Sequence, residues 1–463
     1  MEGIRRIILH GSNFFIYNHG GLDMALARSL AIGAVALQAQ QQLFDVVSNN
    51  MANVNTLGFK SGSVSFTDQL NQTITHGKSP DSIAGIGVGG VDPKQLGLGV
   101  KVGAIRNDMS QGAIETTNRP LDMAIQGEGF FVYNMNGQEL YSRAGAVSRD
   151  KNGFLVDSAT GAYLQGYNLE TDARGRIVKD SEGNNVLVRK AENLQIANDI
   201  ISQPSQTQNV SVTGNLNAGM LVGESKTTSI KIFDNVGTAR DLEITFTKSA
   251  NANEFAVTMN IQGKAVTPSS STVTFNADGT LNSPLSFLVT AQNLNTALGG
   301  NVFDATTPKN INIKLADTGN LLGGLTQFSG PNSATTSAQD GYAAGSLNSL
   351  SVDYTGKIWG TFTNGQSEAL GQTVLAKFTN PGGLVKEGSN FYRNSPNSGL
   401  AYLGTAGEVF PSTSIAGESI EHSNVELTTE FTKMIEAQRA YETAARIITV
   451  MDQILAQATI LKR

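Results

Sequence analysis

The chain of 463 residues contains no cysteine. It therefore has no disulfide, no thiolate metal site and no cysteine nucleophile. Charge is also scarce, because charged residues make up 16% of the chain against about 25% in an average soluble protein. The net charge is −6, and without a large basic block the chain is a poor candidate for nucleic-acid binding. No run reaches the roughly 20 apolar residues that a membrane span needs, so we expect no membrane insertion.

Motifs for catalysis and cofactor binding are lacking as well. The sequence contains no P-loop, no G-x-S-x-G and no H-E-x-x-H. The run GIGVGG at 85–90 satisfies G-x-G-x-x-G, but no strand pattern precedes it and no helix pattern follows, so its dinucleotide-binding context is missing. The four histidines lie too far apart in the sequence for a local ligand motif. We therefore predict a protein that is not an enzyme and holds no cofactor or metal.

What the chain does contain is an apolar stripe near each end, with alternating spacings of four and three residues. This spacing is typical of the a and d positions of a coiled coil. Each stripe alone is equally compatible with an ordinary amphipathic core helix. Two such helices on either side of a long β-rich middle favour pairing with each other or with copies of themselves. The predicted packing residues are Leu26, Leu30, Leu37, Phe44, Val47, Leu427, Phe431, Met434, Tyr441, Ile448 and Leu455.

Two segments near the N-terminus need a separate interpretation. Residues 28–39 imitate a secretory signal, but the heptad continues well past the apparent cleavage site, so we expect no cleavable signal peptide. Residues 1–23 do not fit the heptad, and we expect Met24 to be the true start. Residues 71–94, rich in Gly, Ser and Pro, are predicted to be a flexible insertion.

Between the helices the hydrophobic period falls towards two. Residues 127–143 alternate as strand, Asn136-Gly137 turn and strand, which indicates a β-hairpin. Short strands with turns every 8–12 residues continue through the middle and predict sandwich-like or barrel-like modules. The fold class that follows is mainly β, with long N- and C-terminal α-helices that form a coiled-coil-like domain and with discontinuous, nested domains.

The stretch SNNMANVNTLGFKSG at 48–62 places several amides where the first helix should end. Amide side chains both donate and accept, which suits bonds to helix-end carbonyls. For any one Asn, a solvated helix cap is the simpler interpretation. For the set we predict a joint between the helical layer and the β domains. Its residues are Asn49, Asn50, Asn53, Asn55, Gly58 and Phe59.

Several stretches resemble the flagellar rod and hook family. LQAQQQLFDVVSNNMANVNTLGFKSGSVSFTDQL (37–70) looks like its N-terminal signature, and SNVELTTEFTKMIEAQRAYETAARIITVMDQIL (423–455) looks like the C-terminal one. LGLGVKVGAI (96–105), RPLDMAIQGEGFFVYNMNGQELYSRAG (119–145) and the stretch 340–384 are similar to the hook branch of the family. The resemblance covers roughly half of the chain and is weakest over 249–339.

The resemblance implies an architecture. Residues 24–94 and 411–463 would form a helical inner domain, 95–168 and 340–410 an inner β domain, and 169–339 an inserted outer β domain.

The resemblance also implies a function. The chain would be a subunit of a curved, flexible tube that transmits torque as a universal joint, located in the flagellum outside the cytoplasm. Its partners would be copies of itself, the rod protein, the hook cap, the hook–filament junction proteins and the export apparatus. A distal rod protein of the same family, and a secreted adhesin or capping protein, are the alternatives.

Overall fold

The computed structural model describes residues 19–80, 89–172, 177–180, 183–304 and 309–461. Helix α1 (His19–Ala52) comes first and begins upstream of Met24. Residues 1–18 of the expected extension therefore lie outside the described part, and so do residues 85–88 of the GIGVGG run.

A long two-stranded antiparallel ribbon follows α1, and we call it the ribbon. Its proximal part pairs β1 (Gly62–Asp68) with β4 (Val100–Asn107), and its distal part pairs β2 (Asn71–Thr75) with β3 (Lys94–Gly97). An isolated bridge between Lys78 and Val91 extends the pairing further. The segment predicted to be a flexible insertion thus carries paired strands on both sides of residues 81–88, which lie outside the described part.

The next elements alternate between two β regions along the chain. The first group is β5 (Ile114–Thr116), β6 (Met123–Gln126), β7 (Phe130–Met135), β8 (Gln138–Ser142), β9 (Val147–Arg149), β10 (Leu155–Asp157), β11 (Tyr163–Asn168), β12 (Glu192–Asn193) and β13 (Ile201–Ser202). The second group is β14 (Asn209–Asn215), β15 (Ser225–Phe233), β16 (Ala239–Lys248), β17 (Glu254–Ile261), β18 (Lys264–Val266), β19 (Thr272–Phe275), β20 (Leu281–Ser283), β21 (Ser286–Val289), α2 (Ala291–Leu298), β22 (Ile311–Lys314), β23 (Leu325–Thr326) and β24 (Thr335–Gln339).

The chain then returns to the first region and ends in a helix. The third group is β25 (Gly345–Val352), β26 (Lys357–Phe362), β27 (Ser367–Thr373), β28 (Leu375–Lys377), β29 (Val385–Gly388), β30 (Phe391–Arg393), β31 (Tyr402–Gly404), β32 (Ser414–Gly417), β33 (Ser419–Glu421) and α3 (Leu427–Leu461). The confirmed prediction is therefore a mainly β chain with long terminal helices.

The first and third groups build one inner β region. Strands β7–β13 and β25–β31 form a 14-stranded sheet, in which β11 pairs with β27 across a long sequence separation. Strands β32 and β33 pair with β6 and β5. After β33 the chain enters α3, whose first turn contacts the end of α1 through the Asn50–Glu430 hydrogen bond.

The second group encloses a core of its own. A five-stranded sheet and a six-stranded sheet surround Phe246, Phe255 and Phe287, which are fully buried. Two chain segments join this outer region to the inner one and are bridged by Ser205 and Tyr342.

The boundary between the two β regions differs from the prediction at residue 169. Leu194 and Ile196 belong to the inner core, and β12 and β13 to the inner sheet. The chain therefore enters the outer region near residue 204. The sequence pattern did not reveal this, because residues 169–203 alternate in the same way as the strands on either side.

Candidate assembly surface and joint

Helices α1 and α3 pack side by side in antiparallel orientation. Gly33 of α1 lies against Ile448 of α3, and a Cβ at Gly33 would stand 3.0 Å from the Ile448 Cγ1 atom. On α1, Val47 is buried, while Leu30, Leu37 and Phe44 are partly buried; the side chain of Leu26 lies outside the described part. The predicted pairing of the terminal helices with each other is thus seen within one chain.

The seam on α3 is rotated relative to the predicted stripe. Its buried side chains are Glu430, Ala437 and Ala444. Among the predicted residues, Met434, Ile448 and Leu455 are partly buried, whereas Leu427, Phe431 and Tyr441 are exposed. Small alanines in the seam allow close helix approach, and Leu427, Phe431 and Tyr441 remain outside it.

These larger side chains form two exposed stripes on α3. In an α-helix each residue is rotated by about 100° from the one before it. Leu427, Phe431 and Ile435 therefore lie on one side of the seam, and we call them the N-terminal flank. Ile447, Val450 and Ile454 lie on the other side of the seam in the second half of the helix, and we call them the C-terminal flank. Contiguous exposed apolar surface of this kind marks an interaction surface, and two flanks on different sides fit two different neighbours.

At the other end of the helix pair, Asn50 connects three elements. Its side chain is buried, and its Nδ2 donates to the Gly62 carbonyl (2.8 Å) and to Glu430 Oε2 (3.0 Å). Its Oδ1 accepts from the Gly62 N–H at 2.8 Å. Asn50 thus holds the end of α1, the start of β1 and the first turn of α3 together.

The other asparagines of the predicted joint have more local roles. Asn53 Nδ2 donates to the Asn49 carbonyl and side-chain oxygens at 2.9 Å each, and Asn53 Oδ1 accepts from Thr56 Oγ1 at 3.0 Å. Asn49 and Asn55 are exposed. Asn53 and Asn49 therefore act as a helix cap.

Gly58 and Phe59 dock the exit of α1 onto the inner β region. The Gly58 N–H donates to the Glu421 carbonyl at 2.8 Å. Gly58 has a φ of +66°, and a Cβ there would lie 2.6 Å from the Ala144 backbone nitrogen. Phe59 is buried, with the Lys386 ammonium 4.5 Å above its ring. Gly58 has this left-handed backbone, whereas Asn55 does not.

A buried group of charges, which sequence reasoning missed, lies immediately beyond. Lys60 and Glu421 are fully buried and their Nζ and Oε1 atoms are 2.7 Å apart. Arg143 Nη1 is 3.5 Å from Glu421 Oε2, and Arg143 Nη2 donates to the Gly127 carbonyl at 2.8 Å. Glu421 Oε1 also accepts from the Gly112 N–H at 2.8 Å. We call Lys60, Arg143 and Glu421 the buried charge cluster.

Burial shifts the pKa of both cations in this cluster. Burial lowers the pKa of the Lys60 ammonium, and the Glu421 carboxylate partly opposes that shift. Burial likewise lowers the pKa of the Arg143 guanidinium, again opposed by Glu421. Removing one partner of such a pair leaves an uncompensated buried charge and costs about 3–5 kcal/mol. Because the members come from three distant segments, the cluster couples the helix exits to the inner β region.

The described residues offer little else of chemical character. Among them, no three His, Asp or Glu side chains are grouped as a metal site. No helix in the described part has the length and apolarity to cross a membrane.

Four family models match the chain. They are "Flagella basal body rod protein" over 30–60, "Flagellar hook protein FlgE/F/G D1 domain" over 124–218, "Flagellar basal body protein FlaE D2 domain" over 223–342 and "Flagellar basal body rod FlgEFG protein C-terminal" over 416–461. The two terminal matches include most of α1 and all of the seam on α3.

Three relatives that match over nearly the whole chain are named flagellar hook protein FlgE. The chain is 32% identical to the flagellar hook protein FlgE of Treponema pallidum, over 95% of this chain and 100% of that one. It is 32% identical to the FlgE of Borreliella burgdorferi, over 94% and 100%. It is 33% identical to the FlgE of Escherichia coli, over 90% and 96%.

Proposed function

The chain belongs to the bacterial flagellar hook protein family, and we propose that it is the structural subunit that polymerises into the curved, flexible tube of the flagellar hook. The tube transmits torque from the rod to the filament as a universal joint. Its subunits join head-to-tail through heterologous contacts, which produce an open helix when the ring does not close.

The observation that carries this proposal is the exposed apolar surface of α3. The seam with α1 already uses one face of α3, yet Phe431 remains 50% exposed and Val450 48% exposed. Each large apolar side chain contributes about 1.5–3 kcal/mol when it becomes fully buried. A polymer in which α3 contacts two neighbours gains this free energy for both flanks.

The joint makes the connection between the helical layer and the β regions rigid. Torque must pass from the helical layer to the β regions without loss, so their connection has to resist twisting. Asn50 and the buried charge cluster fix that connection through bonds shielded from water. Displacing either would leave buried polar groups without partners, which is costly.

The flexibility of the tube comes from contacts between the outer β regions of neighbouring subunits. The outward-facing side chains along β15 include Ser225, Thr227 and Ser229. Small hydroxyl groups exchange hydrogen-bond partners at little cost, so neighbouring outer regions can slide as the tube rotates while curved. A large apolar contact at this place would hold one spacing only.

The remaining assignments follow from the family. The partners we propose besides copies of this chain are the rod protein, the hook cap, the hook–filament junction proteins and the flagellar export apparatus. We also propose that the polymer lies outside the cytoplasm, at the base of the flagellum.

The substitution Phe431→Asp tests the proposal. Since Phe431 is half exposed, the variant should fold and stay monomeric, because a neighbour would have to bury the carboxylate. Circular dichroism measures folding, and electron microscopy with sedimentation measures polymer. Thr432→Asp is the matched control, since it adds the same charge at the adjacent exposed position, about 100° around the helix.

Three results would contradict parts of this proposal. Normal polymer from Phe431→Asp would remove the N-terminal flank from the interface. Straight, rigid polymers of the unmodified chain would favour a rod subunit. A small oligomer that never elongates at high concentration would favour an adhesin or capping protein.

A further inference from the structure

A lysine and an asparagine face each other in a short antiparallel pairing within the inner β region. Residues 177–180 and 183–187 run in opposite directions, and Lys179 is the pairing partner of Asn185. Backbone hydrogen bonds close the ladder on both sides of this pair. The pair itself is therefore of the non-hydrogen-bonded kind, in which the Cα atoms are about 4.5 Å apart and the two side chains share one face.

Both side chains reach consecutive residues of strand β27. Lys179 Nζ lies 2.9 Å from Glu368 Oε1, and Asn185 Nδ2 donates to the Ala369 carbonyl at 2.9 Å. Ser202 Oγ donates to the same Glu368 Oε1 atom at 2.8 Å and holds the carboxylate in place. An amine, a carboxamide and a carboxylate thus lie together at one end of the inner sheet.

Two buried oxygen atoms of this group have no hydrogen-bond partner in the described part of the chain. They are Glu368 Oε2 and Asn185 Oδ1. Glu368 is only 9% exposed, and a buried acceptor without a donor is costly. Transfer of a proton from Lys179 to Glu368 would give the carboxyl group an O–H that the Asn185 oxygen can accept. The same transfer turns the lysine into a neutral amine, which is a nucleophile.

We propose that Lys179 and Asn185 form an isopeptide bond within the chain, with Glu368 as the proton carrier. The Lys179 amine attacks Asn185 Cγ, so the Nζ–Cγ bond forms and the Cγ–Nδ2 bond breaks. Glu368 carries two protons in turn from Nζ to Nδ2, which leaves as ammonium. The lysine ammonium and the primary amide thus become a secondary amide and free ammonium, and no oxidant or other reactant is consumed.

The surroundings suit this reaction. Lys179, Asn185 and Glu368 line one open groove, through which the ammonium can leave. Ser205 and Tyr342, which bridge the two connecting segments, line the same groove. The bond would therefore lock residues 179–185 beside the passage to the outer β region. It forms within one chain, so it goes beyond the proposed function and does not require a polymer.

Mass spectrometry of the intact, full-length chain tests the bond. The chain should be lighter than its sequence mass by one ammonia, about 17 Da. Trypsin should release residues 177–189 as a single peptide with the same deficit, because it does not cleave after an acylated lysine. A chain with the full sequence mass that trypsin cleaves after Lys179 would contain an ordinary ion pair, and this result would overturn the proposal.

Ammonia lost elsewhere has to be distinguished from this bond. An Asn-Gly sequence such as Asn136-Gly137 can lose ammonia by forming a succinimide, which hydrolyses in mild alkali, whereas an isopeptide bond survives. The peptide 177–189 should keep its deficit after alkaline treatment, and fragmentation should locate it on Lys179 and Asn185. A deficit that disappears in alkali would also overturn the proposal.

Three variants separate the reacting groups from their neighbours. Lys179→Arg keeps a positive charge opposite Glu368 but has no nucleophilic amine, so it should show no deficit. Glu368→Gln removes the proton carrier and should slow bond formation at least about tenfold. Asn184→Ala is the matched control, because it removes the adjacent amide, which alternation places on the other face, and it should keep the full deficit. A deficit in Lys179→Arg, or its loss in Asn184→Ala, would contradict the assignment even if Glu368→Gln failed to fold.

Discussion

At the scale of single residues, the joint depends on positions such as Gly58 and Lys60, where no other residue type fits. Gly58 combines a left-handed backbone with a close approach to the Ala144 nitrogen. Lys60 is a cation without any exposed surface, which is tolerated only because Glu421 and the Ser110 carbonyl meet its ammonium group. Both residues lie within the stretch 48–62 that stood out by its amides, yet the amides are only part of the connection.

The substitution Gly58→Ala should destabilise the chain more than a left-handed glycine alone explains. A left-handed non-glycine residue costs roughly 1–2 kcal/mol. At Gly58 the new Cβ would also displace backbone at Ala144, which adds about 1–3 kcal/mol. Gly137→Ala is the control, since Gly137 has a φ of +82° with nothing within 4 Å of a built Cβ. Urea unfolding compares the two, and equal losses would show that Gly58 has no special packing role.

At the scale of elements, α3 combines two surfaces of opposite character. Alanines, Glu430 and Ile448 face α1, while other large apolar residues, among them Phe431 and Val450, face outwards on two flanks. A helix of a monomeric protein normally shows the reverse arrangement, with its large apolar residues inside. This inversion explains why the heptad predicted from large residues is offset from the observed seam: the strongest sequence signal belongs to the surface that we assign to neighbouring subunits.

The helix ends allow a prediction about the amides. Asn50→Ala should lower the free energy of unfolding by at least about 2 kcal/mol, because it leaves the Gly62 amide and carbonyl and one Glu430 oxygen short of partners in a buried place. Asn53→Ala, which removes only local bonds at a partly exposed cap, should cost about 1 kcal/mol or less. Chemical denaturation measures both. A larger loss for Asn53 than for Asn50 would assign the joint to the cap instead.

At the scale of the whole molecule, the two β regions have separate cores, and two segments of the described chain connect them. The outer core is built around Phe246 and Phe255, and the inner core around Phe131 and Leu164. Among the described residues, the chain that leaves α1 attaches to the inner region through the Gly58–Glu421 backbone hydrogen bond and the buried charge cluster. Force on the helices therefore reaches the inner region first.

Separate cores should unfold separately. Phe246→Ala should destabilise the outer region by about 3–5 kcal/mol and so lower the temperature of only one calorimetric transition. The helical layer should still form polymer, which electron microscopy measures. Phe131→Ala should lower the other transition. A single cooperative transition that both variants shift together would contradict the division into two folding units.

The sequence by itself determined the elements and the family. Periodicity of 3.5 and 2 residues is a local property of the chain, so it predicted the terminal helices, the β-rich middle and the hairpin turn at Asn136-Gly137, and the terminal signatures identified the family. Of the proposed joint, Gly58, Phe59 and the amides were recognisable as an unusual local composition.

The tertiary structure alone decided which surfaces face which. Lys60, Arg143 and Glu421 are single charges far apart in the sequence, and nothing local marks them as partners, because burial and ion pairing arise only when distant segments meet. The inner region extends to residue 203, since strand pairing across long separations, and not the local pattern, assigns a strand to its sheet. The rotation of the α3 seam has the same origin: a heptad reports that a helix has apolar faces, and only the position of α1 determines which face is inside the subunit and which is left for a neighbour.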